Sequence, residues 1–184
     1  MMLGLTMGDL YAQPAPNPET LHRATMHRLT GIAAALAVVF VESVVVTYFI
    51  GTSRWCKEVV ETYQLDRAAI VRSNMLKRRT FPWALIGMLA VVGIIALGGA
   101  ADPATLQRNT RDWADWHLMG AFLGIALIVW TYVVAWNNIV ANHAIIEQVV
   151  TEVSRVRAER GLSDGQNSES AADSRSSRGG TLPS

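Results

Sequence analysis

Glu42 is the residue whose placement asks most for a chemical explanation, because in VVFVESVVVTYFIGT (residues 38–52) a carboxylate sits inside an apolar run. A charge near a bilayer centre costs about 3 kcal/mol on insertion scales. Such a carboxyl must be protonated or set against polar partners, with Thr47, Thr131 or another subunit as candidates. Three roles are open to it: packing glue between helices, proton or cation transfer, and docking onto another subunit.

Two histidines are the next candidates. His27, Gly31, Ala34, Ala35, Val38 and Glu42 recur at helical spacing and share one face, and His117, Gly120, Gly124, Thr131, Ala135, Asn138 and Asn142 share another. If the two helices run parallel, the imidazoles lie at similar depth. They could then be axial ligands of a b-type haem, or serve a quinone-linked anchor, with the glycines leaving room for a porphyrin plane. The plainer reading makes Gly31, Ala35, Gly120 and Gly124 sites of close helix approach and the histidines polar ends among headgroups.

The remaining chemistry is thinner. His143 and Glu147 are four apart, as metal ligands can be, and Glu58 or Glu61 completes a three-ligand set on paper. The Glu-x-x-His pattern of carboxylate-bridged bundles is absent, so these residues, with Asn138 and Asn142, are read as polar groups where helices leave the membrane, and no metal is assigned. Cys56 is the one cysteine, which rules out an internal disulfide. Arg54 and Lys57 beside it would favour the thiolate, although a lone boundary cysteine is ordinarily inert or lipidated. No serine, cysteine or lysine has a recognisable base and orienting group, so the chain leans away from catalysis.

The elements that must position these residues are membrane helices. Of 184 residues, 51% are hydrophobic, with mean hydropathy +0.23. The apolar residues concentrate in Leu29–Ile50, Phe81–Ala100 and His117–Trp136. Each block has about the 20 residues a helix needs to cross a bilayer. The expected fold is therefore an all-α integral membrane protein with three transmembrane helices. The first block begins too late and runs too long for a cleaved signal peptide, and residues 1–20 lack the basic start of one.

Orientation follows from lysine and arginine. Twelve of the sixteen fall in the segment between blocks 1 and 2 and after block 3, against Arg23, Arg28, Arg108 and Arg111 on the alternate side. That predicts N-out and C-in, in a bacterial cytoplasmic (inner) membrane. Trp55, Trp83 and Trp136 mark the inner boundary and Trp113 and Trp116 the outer one, with Trp130 deeper.

Outside the blocks, residues 1–27 read as a flexible outer arm and 161–184 as a disordered tail. Helices 1 and 3 are expected to continue into the cytoplasm as a hairpin of 51–65 and 138–160, the latter carrying Ile146, Val149, Val150, Val153 and Val156 and stopping at Gly161. Asp66 is placed to cap a short amphipathic helix over 67–79, whose Lys77, Arg78 and Arg79 would rest on anionic lipid headgroups. A net charge of +1 argues against a nucleic-acid partner. The expected function is a non-catalytic subunit or assembly partner of a larger membrane complex, or a homo-oligomer. The alternatives are the haem or quinone anchor and proton or ion handling through Glu42.

Overall fold

The computed structural model describes residues 17–105 and 110–161; residues 1–16 of the expected arm and all but the first residue of the expected tail lie outside the described residues. Three helices account for nearly all of the described chain: α1 (Pro18–Tyr63), α2 (Ala68–Ala101) and α3 (Thr110–Glu159), with a 3-10 turn, Pro103–Thr105, after α2. At 1.5 Å per residue they are about 69, 51 and 75 Å long. Each contains a stretch long and apolar enough to cross a bilayer.

Local chemistry explains the boundaries. Asn17 Oδ1 accepts from the Glu19 N–H at 3.2 Å, Pro18 opens the first turn, and Glu19 pairs with Arg23 one turn on. Residues 18–27, expected in the flexible arm, are therefore the start of α1; the proline that suggested a breaker is a helix starter. Gln64 takes the left-handed conformation (φ 55°), and Leu65 N–H returns to Val60 O at 2.9 Å to close α1. Asp66 Oδ1 accepts from Ala68 N–H at 3.0 Å, as its position predicted. The helix it caps is longer than the expected 67–79, because nothing in Leu76–Phe81 breaks it and Pro82 removes one backbone bond without ending it. Asp102 receives Ala104 N–H at 2.9 Å and the Arg28 guanidinium at 2.9 Å, clasping the end of α2 to α1. Gly161, at φ 70°, lies just past the end of α3 at the expected stop.

α2 runs antiparallel to both neighbours and packs along each, whereas α1 and α3 run side by side with their backbones farther apart. The buried residues of α3 are Gly124, Ile128, Thr131, Ala135, Asn138, Asn142, Ile145 and Val149, alternating steps of four and three. α1 follows the rule at Glu42, Val45 and Phe49, and α2 at Thr80, Ala84, Gly87 and Val91. A mean step of 3.5 keeps one seam facing inward along a long helix, as in left-handed coiled coils.

Two apolar clusters fill the seam below Glu42. Val45, Phe49 and Ala135 form one, with Tyr48, Leu76 and Ile139 against it. Cys56, Val60, Ala69, Ile145 and Val149 form the other. Beyond the apolar blocks, the expected two-helix hairpin is thus a three-helix packing. The first turns of α2 contribute Ala69 and Ile70, because the unbroken helix carries them back alongside α1 and α3.

Candidate functional site

The polar side chains singled out in the sequence are buried in the seam, where Glu42 meets Thr131 and the two asparagines find other partners. Glu42 is fully buried, and its Oε1 lies 2.7 Å from Thr131 Oγ1, which in turn lies 2.8 Å from the carbonyl of Ile128. A hydroxyl has one proton for these two oxygens. When it goes to Ile128, the proton between Thr131 and Glu42 belongs to the carboxyl. The other oxygen, Oε2, is buried without a hydrogen bond among the described residues. An ionised carboxylate there would be very poorly solvated, so the neutral acid is the form this geometry suits.

Gly87 of α2 makes the room. A Cβ on it would stand 2.5 Å from Glu42 Oε1 and 3.0 Å from Thr131 Oγ1. Glu42 therefore joins all three helices, although Thr47, the other partner considered, instead donates to the backbone of Ser43 in its own helix at 2.8 Å.

Two further polar layers lie toward the α1–α2 turn. Asn138 Nδ2 donates to Thr80 Oγ1 at 2.9 Å, and that hydroxyl lies 2.9 Å from Leu76 O. Asn142, fully buried, donates to Tyr48 OH at 3.2 Å and Thr52 Oγ1 at 3.1 Å and accepts from Ser73 at 3.1 Å. Its amide thus ties α1, α2 and α3 at one level. Sequence reading placed Glu42, Thr131, Asn138 and Asn142 on inward faces but missed Gly87, Thr80, Ser73, Tyr48 and Thr52. The signal was the four-and-three spacing of small and polar residues through Thr80, Ala84 and Gly87.

At the opposite end His27 and His117 approach edge to face, their ring centres 6.2 Å apart. His117 also lies over Gly98, where a Cβ would stand 3.1 Å from its Cε1. The glycines that the haem reading needs open, between α1 and α3, are closed, and the close approach they permit is to α2. Side chains of α2 occupy the space at both: Leu97 at Gly120 and Ile94 at Gly124. α2 is the helix that comes close to α3, and the room a porphyrin would need at these glycines is filled. Gly31 has nothing within 4 Å of where its Cβ would be, and Ala35 is half-buried.

Lys77 is half-buried and Arg78 and Arg79 are exposed, just before the apolar run that Phe81 opens. His143 Nδ1 and Glu147 Oε1 are 3.4 Å apart and both exposed, and no cluster of three metal-binding side chains occurs among the described residues. Cys56 is 1% exposed, and burial pushes its thiol up from the ordinary value despite the opposing charge of Arg72. The neighbouring Arg54 does not act on the thiol, because the sulfur lies in the core while Arg54 pairs with Glu58 at 2.9 Å outside it.

Compared with known protein families, curated proteins and solved structures, the chain matches none of them.

Proposed function

We propose that this chain is a three-span integral membrane protein, N-out and C-in in a bacterial cytoplasmic membrane. In this reading it acts without catalysis, as a subunit or assembly partner of a larger membrane complex, foreign or built from its own copies. The observation that carries the reading is the contrast among its glycines. Gly87, Gly98, Gly120 and Gly124 each face a side chain of this chain, whereas Gly31, like Gly51, Gly93 and Gly99, has nothing near it; what sets Gly31 apart is its place among small residues, with exposed Ala34 and half-buried Ala35 nearby on α1. Between Ala24 and Glu42 no residue of α1 is buried. Small residues let another helix approach closely, and in a bilayer that packing is the main attraction available. Most of the buried polar groups, by contrast, Glu42 Oε2 and His117 Nδ1 apart, are taken up in fastening α1, α2 and α3 to one another, which suits a scaffold.

The test is to tag the protein at native expression, extract it in mild detergent and identify what elutes with it at its native particle mass. A defined set of partners is expected, lost on Gly31→Leu while Glu42→Gln leaves it intact. Elution as a lone monomer would overturn the reading; a mass of several copies would make the partner a second copy of this chain.

The closeness of His27 and His117 favours a second reading, a haem-holding anchor, against which stands the filled space at Gly120 and Gly124. A reduced-minus-oxidised spectrum of the purified protein decides it: a b-type band lost on His27→Ala or His117→Ala would support it, and a colourless protein would end it. Ion handling through Glu42 would show as Glu42-dependent flux in liposomes.

A further inference from the structure

A shallow groove lies where the apolar blocks of α1 and α2 end, lined by Ile50, Lys77, Arg78, Phe81 and Pro82. Its two halves differ in chemistry. Ile50 is the last residue of the first apolar block and Phe81 the first of the second, and both are about half exposed. Lys77 and Arg78 stand one turn before Phe81, at the basic edge. Neither forms an ion pair with a carboxylate among the described residues. Pro82 adds a third feature. It carries no N–H, so the carbonyl of Arg78, four residues earlier, loses its helical donor at the groove itself. One surface therefore offers an apolar wall, two unpaired cations and an acceptor without its usual donor.

We propose that this groove is a binding site for one anionic phospholipid. Its acyl chain lies along Ile50 and Phe81, its phosphate meets Lys77 and Arg78, and a headgroup hydroxyl donates to the Arg78 carbonyl. Charge complementarity selects the occupant: a zwitterionic lipid would bring its own cation to a place already holding two. Basic pockets between helices at the inner membrane face are suited to anionic headgroups for this reason. The inference rests on the membrane-spanning reading of the chain, and it turns a general attraction of basic residues for lipid into one defined site.

Native mass spectrometry of the full-length protein in detergent tests it, titrating phosphatidylglycerol against phosphatidylcholine of the same acyl chains. The first phosphatidylglycerol is expected to bind about thirty-fold more tightly, the effect of two cations near the surface. Lys77→Gln/Arg78→Gln should abolish that preference. Arg54→Gln/Lys57→Gln, which removes two cations of the same segment outside the groove, should keep it. Equal binding of the two lipids, a preference that survives Lys77→Gln/Arg78→Gln, or equal loss in both double variants would overturn the proposal. So would competition by glycerophosphoglycerol, the headgroup without acyl chains, at the lipid's own concentration. Alkaline washing of membranes from expressing cells separates the two readings. Protein that stays in the washed membranes yet shows no preference sinks the groove alone, whereas protein released by the wash sinks the spanning reading and the groove with it.

Discussion

Glu42 shows how one side chain can be dictated by its neighbours on three helices. Among the described residues the carboxyl has a single hydrogen-bond partner, Thr131, and a space that exists because position 87 has no Cβ. Glu42→Gln keeps the volume, and its amide can donate to Thr131 but leaves a second N–H to place, so stability to thermal unfolding in detergent should fall by no more than about 1 kcal/mol. Glu42→Ala leaves a hole and should cost about 2–3 kcal/mol. Gly87→Ala drives a methyl into the carboxyl and should cost about 1–3 kcal/mol in the same assay. A large loss on Glu42→Gln would mean that the carboxylate form is the one the fold uses. Cys56 provides a second check at this scale. Its burial predicts that a maleimide labels it negligibly in the folded protein at neutral pH and fully after denaturation. Brisk labelling of the folded chain would show that the lower cluster opens.

Among the elements, α2 is the organiser, since it packs along both neighbours while the backbones of α1 and α3 lie farther apart. The layer at Asn142 holds all three in one register, because an amide with three partners cannot slide by a residue without losing them. Asn142→Ala should cost about 2 kcal/mol, near the upper range for interhelical hydrogen bonds in membranes, and more than Asn138→Ala, which gives up one. Equal effects would remove the register role from Asn142. Much of this was legible in the sequence: the three apolar blocks, the inward faces holding Glu42, Thr131, Asn138 and Asn142, the cap at Asp66 and the stop at Gly161. Which helix faces which was not. Small residues announce close approach without naming the partner, so Gly120 and Gly124 pointed equally well to α1 or α2. Pro18 misled for a related reason: a proline starts or tolerates a helix according to backbone bonds made elsewhere, and composition does not record those. Gly87 escaped notice because its role appears only once Glu42 and Thr131 are brought to its level.

For the molecule as a whole, the distribution of charge and of tryptophan is the property from which its place in a bilayer is predicted. The α1–α2 turn and the end of α3 lie at one end of the bundle and carry most of the basic residues, while Arg28 is paired with Asp102 at the other. Basic residues in short segments resist translocation, so the turn end is predicted to face the cytoplasm. Trp83 and Trp130 meet edge to face with ring centres 6.5 Å apart, which gives the one tryptophan away from the boundaries an aromatic partner on α2. Single cysteines introduced in the Cys56→Ala background read the orientation directly. A cysteine at Arg67, in the turn, should be silent to a membrane-impermeant maleimide in intact cells and react once they are opened, while one at Thr105, after α2, should react from outside. Replacing Lys77, Arg78 and Arg79 together by glutamine should weaken this bias without inverting it. Arg54, Lys57, Arg67 and Arg72 remain on the same side, and orientation follows the summed basic count of the short segments. Full inversion by those three substitutions would show instead that the cluster before Phe81 alone anchors the second span.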